Sequence, residues 1–200
     1  GLSATAKQLV TATLGFNVFY KALAQLRQGY QYVKEIDVAL TELKKVTDET
    51  DTAYKNFLST ASKTAGTIGS TVSDFTNATA NFARLGYSME EASDMAKTAI
   101  VYKNVADGLD TVEESTDSII STMKAFGIES DDTMSIVDKF NEVGNRFAIT
   151  SAGIGEALQR SASALHEAGN SIDESVALVT AANSVINFVS LRYSNVVISR

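Results

Sequence analysis

Three pairs of adjacent acids are the residues of this chain best placed to do chemistry: Glu90-Glu91, Asp131-Asp132 and Asp173-Glu174. Two neighbouring carboxylates can work as general acid and base, or supply oxygen ligands to a hard cation. Their setting argues for another task. Each pair closes the same short signal, Gly86-Tyr-Ser-Met-Glu-Glu91, Gly127-Ile-Glu-Ser-Asp-Asp132 and Gly169-Asn-Ser-Ile-Asp-Glu174, with the glycines 41 and 42 residues apart. A glycine after an apolar run suits the left-handed position that closes a helix. Ser88 with Glu91, and Ser171 with Glu174, fit the S-x-x-E capping box, in which each partner satisfies an otherwise orphan helix N–H. The acids also lie where the positive end of a helix dipole favours them. In the middle copy Glu129 and Ser130 have exchanged places, and Asp131 and Asp132 supply the charge. The same place in every copy assigns the acids to capping.

The other candidates are thinner. His166 is the only histidine and cysteine is absent, which leaves almost no material for Ser-His-Asp chemistry, a His-rich metal site or zinc. His166 reads as a surface or helix-end residue. Asp107-Gly-Leu-Asp-Thr-Val-Glu113 has the flavour of a calcium loop but lacks the EF-hand pattern and its terminal ligands. Gly153-Ile-Gly155 is too short for a dinucleotide fingerprint and follows no strand. The sequence therefore predicts no catalytic, cofactor-binding or metal-ligating residues, no cofactor and no enzyme.

The elements that carry these residues read as helices throughout. The 200 residues contain no proline, which removes the main helix breaker. From Leu9 the apolar residues Leu9, Ala12, Phe16, Phe19, Leu23, Leu26, Tyr30 and Val33 alternate in steps of three and four, a heptad seam held over more than three heptads. Ile36, Leu40, Leu43 and Val46 continue it after a stammer-like step. Residues 3–46 thus form a long coiled-coil-like or bundle helix, weakened by Gly15 and Gly29. A polar, cap-rich stretch at Thr47–Asp51 ends it, and a shorter helix follows over about 53–63. Within a region at 52–188, hairpins fall near 71–104, 111–143 and 151–188, with Asp107-Gly108 and residues 144–150 as turns. Phe82, Met123 and Leu165 stand four residues before each glycine, and Met95, Ile136 and Leu178 nine after it. Equivalent apolar positions are what a stacked array requires, since one helix pair cannot bury its own face. The fold class is all-α, a long N-terminal helix followed by three helix–Gly–helix hairpins of about 41 residues; an open array and a closed bundle both remain compatible. Residues 189–200 alternate more like a strand and read as an atypical tail, a non-native extension or a truncated boundary.

The formal charge is −7, and no basic cluster exceeds Lys44-Lys45, so direct nucleic-acid binding is not expected. The lack of cysteine excludes a disulfide framework without fixing the compartment. No signal-peptide pattern is found. Two uncharged stretches bear on membranes. Leu9–Tyr20 is too short to span, and Thr180, Asn183, Ser184 and Asn187 make Ser175–Leu191 a poor lipid segment.

Four blocks in order resemble the core region of phage tail tape-measure proteins. They are Glu35-Ile-Asp-Val-Ala-Leu-Thr-Glu-Leu-Lys-Lys-Val-Thr47, Ala83-Arg-Leu-Gly-Tyr-Ser-Met-Glu-Glu-Ala92, Val137-Asp-Lys-Phe-Asn-Glu-Val-Gly-Asn145, and Ser161-Ala-Ser-Ala-Leu-His-Glu-Ala-Gly169 leading into Ser175–Asn183. The resemblance spans about Glu35 to Ile186; Asn187–Arg200 departs from the acidic, glycine-containing continuation usual in that family. Members are normally much longer, so the resemblance implies a fragment of a larger phage or prophage tape measure. It implies a structural virion protein, an extended helical chain in the tail-tube lumen whose length sets tube length. It also implies association with the tail tip and with passage of DNA, and no active site in this region. The implied partners are other copies of the chain in a parallel helical oligomer, with tail-tube and tail-tip proteins. Membrane contact would come only through other parts of a full-length protein. The implied location is the virion tail lumen and tip, and the bacterial host cytoplasm during assembly. Two readings of other classes stand beside it: a helical membrane-acting toxin or effector, and a helical-repeat adaptor that binds protein along a concave face.

Overall fold

A computed structural model describes residues 27–198, with side chains to residue 186. Every regular element among them is helical. They are α1 (27–44), α2 (Asp51–Thr67), α3 (Val72–Ala83), α4 (Met89–Val105), α5 (Val112–Phe126), a 3-10 turn at Ser130–Asp132, α6 (Thr133–Arg146), α7 (Ser151–Glu167) and α8 (Ile172–Ile198). The seam residues Leu9 to Leu26, and Gly15, lie outside the described residues. Of the part that is described, Tyr30 and Val33 are 68% and 63% exposed, whereas Ala39 and Leu43 are fully buried. From Ile36 onward α1 therefore packs on its own chain. Ser73 Oγ donates to the Glu35 carbonyl at 3.3 Å, and Arg84 pairs with Glu42 at 3.0 Å, which fastens α1 to the ends of α3.

Capping chemistry sets most of the boundaries. Thr50, Thr71, Ser88, Thr111, Thr150 and Ser171 each accept a hydrogen bond from the backbone N–H three residues on, at the starts of α2, α3, α4, α5, α7 and α8. Each such cap stabilises by about 0.5–2 kcal/mol. With the uncapped start of α6 counted in, helix starts recur at intervals near 20 residues, so the 41-residue period of the glycine signals is made of two single-helix units. The middle signal is indeed the looser one: α6 is entered through the 3-10 turn, with no side-chain cap. Gly86, Gly127 and Gly169 hold φ of +95°, +63° and +91°, the left-handed closure read from the sequence.

Helix packing is short in range along the chain. Substantial contacts join helices adjacent or next-but-one in sequence: α3 with α4, α4 with α5, α3 with α5, α4 with α6, α7 with α8 and, most closely of the next-but-one pairs, α5 with α7. That is the pattern of an open stacked array, in which each unit touches only its neighbours. The helices approach on small residues such as Ala61, Ala78, Ala92, Ala96 and Ala99, all buried, with larger side chains at intervals. Phe57 with Phe75, and Tyr102 with Phe140, pair at ring distances of 6.2 and 6.0 Å. Buried threonines fit this core because they bond within their own helix. Thr76, Thr79, Thr116, Thr122 and Thr180 donate to the carbonyl four residues back at 2.7–2.9 Å.

Three expectations need correction. Residues 189–198 are not a strand. The helix begun at Ile172 continues to Ile198, because no glycine or proline interrupts the run and the β preference of its Val and Ile residues is weak beside helix propagation. Gly144, read as part of a connection, lies inside α6, where a Cβ would stand 3.1 Å from the Ser151 backbone nitrogen. It marks a close approach of α6 to the start of α7. Finally, Phe82, Met123, Met95 and Ile136 are buried, but their third-copy equivalents Leu165 and Leu178 are half-buried and 47% exposed. The array has no following helix among the described residues to cover them.

Candidate functional site

The acids that could have done chemistry are spread along the array by their caps. Glu91 accepts from the backbone N–H and hydroxyl of Ser88 at 2.9 and 2.8 Å, and Glu174 from those of Ser171 at 2.8 and 2.9 Å. Asp173 pairs with Lys139 at 2.5 Å. Asp131 and Asp132 lie in the 3-10 turn. In the Asp107–Glu113 segment the Asp107 carbonyl accepts from Ala152 N at 3.4 Å, so it is tied to the start of α7. Among the described residues no group of three His, Asp or Glu is arranged to hold a metal. His166 is exposed in the last turn of α7, its ring edge-on to Phe126 at 5.5 Å.

A third capping box, Thr111 with Glu114, escaped the sequence reading although Thr111-Val-Glu-Glu114 carries the T-x-x-E signal. Glu91 is held below the usual carboxylate range first by the Ser88 hydroxyl and then by the Ser88 N–H. Glu114 is held down by the N–H groups of Thr111 and Asp110, and Glu174 by the N–H of Ser171. A carboxylate with a lowered folded value adds stability that is complete above its ordinary value and is lost as pH falls through the lowered one. The triple substitution Glu91→Gln, Glu114→Gln, Glu174→Gln, which keeps an acceptor but removes the charge, should therefore melt below the parent at pH 7. The gap should close below about pH 4. Thermal melts across that range check it.

The side chains that converge do so at one buried junction. Tyr102 of α4 is fully buried and donates from its hydroxyl to the Ser151 carbonyl at 2.8 Å, while Ser151 Oγ bonds Asn141 Oδ1 of α6 at 2.6 Å. Burial pushes the Tyr102 phenol above its ordinary range, so it remains a neutral donor. Gly155 of α7 lies beside it: a Cβ there would fall on Ser118 Oγ of α5 and stand 3.3 Å from the Tyr102 hydroxyl oxygen. Ser118 Oγ is close enough to the phenol to favour its ionised form slightly, but no well-formed hydrogen bond reaches it. Gly153 of the same motif donates its N–H to Thr150 Oγ1 at 2.9 Å. Gly153-Ile-Gly155 is thus a helix start and a close helix contact. The junction ties four helices together.

What faces outward is a groove. Between α6 and α8, which pack less closely than α3 with α5, α4 with α6 or α5 with α7, lies a concavity of about 530 Å³ lined by Val143, Phe147, Val176, Ala177, Thr180 and Ala181. Lys139 with Asp173, together with Glu142 and Arg146, rims it. Phe147 is 56% exposed at one end. An apolar floor with a balanced charged rim suits a helix or another protein surface rather than a small charged substrate.

A family model described as phage-related minor tail protein matches residues 58–187, from α2 into α8 and across every element of the array. No solved structure matches the chain.

Proposed function

The chain belongs to the phage-related minor tail protein family, and from that premise we propose that it is a structural segment of a tail tape measure. It acts without catalysis, as part of the length ruler and of the core that joins tail tube to tail tip, and is associated with ejection of the DNA. The observation that carries this reading is the match over residues 58–187, joined to the four tape-measure-like blocks between Glu35 and Ile186. The fold supports it: an array built from caps and small-residue contacts, with an apolar groove on its surface, is made to be packed against other protein. Its place is the virion tail, in the tube lumen and tip, after assembly in the host cytoplasm. Its partners are tail-tube and tail-tip proteins and other copies of itself, the last through the seam that begins at Leu9.

Inserting three heptads, about 21 residues, into the N-terminal helix of the phage-encoded protein should lengthen the tail by roughly 30 Å, from the rise of 1.5 Å per residue. Electron microscopy of the particles reads this directly. Tails of unchanged length would remove the ruler role and leave a tail component of another kind.

A further inference from the structure

We propose that the groove between α6 and α8 is the docking site for one amphipathic helix of another protein. That helix turns an aromatic side chain to the floor and carries one base and one acid, a turn apart, along one flank. The groove is a helix contact that lacks its filling. Between α4 and α6 the space is taken by Tyr102 and Phe140, both fully buried, with ring centroids 6.0 Å apart. Tyr102 stands 16 residues past Gly86, and Phe140 stands 13 past Gly127. One copy further on, the same offsets from Gly127 and Gly169 fall on Val143 and Ala182. A valine and an alanine thus stand where the other contact has two rings, and about 530 Å³ lies open between α6 and α8. An aromatic side chain from outside supplies the kind of volume that is missing.

Shape and charge define the rest of the occupant. The floor is Val143, Val176 and Thr180, and the Thr180 hydroxyl is already donated to the Val176 carbonyl at 2.8 Å. The α8 lip runs through Ala177, Ala181 and Ser184, small and uncharged, which lets a second helix axis come close. The Lys139–Asp173 pair closes one end, and exposed Phe147 flanks the other. From Lys139 to Phe147 the slot is roughly 12 Å long, about two turns of helix. On the α6 lip Glu142 and Arg146 lie exposed and 2.9 Å apart. A base facing Glu142 and an acid facing Arg146 complete a network of four charges and fix the register of the incoming helix. An anionic lipid surface is the poorer occupant, because this rim has no excess of basic residues and the chain carries −7. The docking rests on the proposed function only in that the chain works by packing against other protein.

The chain has no tryptophan, so the emission of a tryptophan probe reports binding without background. The probe is a peptide cross-linked to hold its helix, with one tryptophan and, on one flank a turn apart, a lysine and a glutamate. Its emission should shift to the blue on addition of the full chain. A version with two glutamates on the flank should bind about fivefold more weakly, since each exposed ion pair contributes modestly. A version with alanine for tryptophan should fail to displace the probe. Glu142→Lys should reverse the order of the two tryptophan peptides. Ala181→Glu should abolish binding of both with unchanged helical circular dichroism, since Ala181 is exposed. A probe that does not bind, or binding indifferent to either substitution, overturns the inference. So does a chain that light scattering shows to be dimeric and that Ala181→Glu makes monomeric, or sedimentation with anionic vesicles that the same variant abolishes. The ruler reading is separate: unchanged tails in the insertion experiment would leave peptide binding intact, and an unbound probe would leave the ruler intact.

Discussion

Replacing Gly155 with valine is expected to cost about 3 kcal/mol of folding stability, the upper part of the range for overpacking a close contact. For a chain of this length that corresponds to a fall in melting temperature of roughly 6–12 °C. The reason is local. The Cβ would overlap Ser118 Oγ and press on the Tyr102 hydroxyl, and the two valine methyls would have to enter the same α5–α7 contact. Alanine at this position is the subtler variant, because it gains about 1 kcal/mol of helix propensity over glycine while meeting the same obstacle. Opening the opposite side tests the cause. Ser118→Gly combined with Gly155→Ala should recover stability that the single Gly155→Ala loses, with a coupling of about 1 kcal/mol or more in a double-mutant cycle. Additive effects would mean that the α5–α7 approach is not set by this pair.

Truncating Phe140 should cost still more. Phe140→Ala removes a fully buried ring that meets Tyr102 edge-on at 6.0 Å and fills the space between α4 and α6. Loss of a buried aromatic of this kind costs about 3–5 kcal/mol, from transfer and cavity together. Chemical denaturation gives the measurement: the midpoint should fall while the denaturant slope stays unchanged, as for a cavity in an otherwise intact fold. Phe140→Leu, which refills part of the space, should recover a large share.

Local chemistry is what the sequence made legible. Helix starts at Ser88 and Ser171, the glycine closures and the weak middle signal could be read because each depends on residues within four or five positions of one another. Thr111 with Glu114 is equally local, but Gly108 stands three residues ahead of it, not two as Gly86 and Gly169 stand before their serines, so it does not repeat their signal. The junction was another matter. Gly153-Ile-Gly155 could be seen as a motif, but nothing in its neighbourhood says that Ser118 and Tyr102 will stand opposite, since the choice of α5 as the partner of α7 is made by the whole array. Gly144 misled for the same reason: a glycine demanded by a close approach from Ser151 looks, one-dimensionally, like a glycine that ends a helix. The tail shows the limit of propensity, where alternating Val and Ile residues suggested a strand and an uninterrupted helix kept its course. Leu178 shows the limit of repetition. A position equivalent in sequence to Met95 and Ile136 is not equivalent in burial when no further helix among the described residues packs over it.

The restriction of helix contacts to neighbours and next-but-one neighbours has a mechanical consequence. Tension applied along the chain does not have to break one large core at once. It can peel α8 from α7, then α7 from α5 and α6, each step loading mainly the contacts beside it. The Tyr102–Ser151 bond, joining residues 49 apart in sequence, is the strap that crosses this order. Until the start of α7 is pulled free it holds α4 to α7, and once released it leaves α6 and α5 as the next piece to come apart.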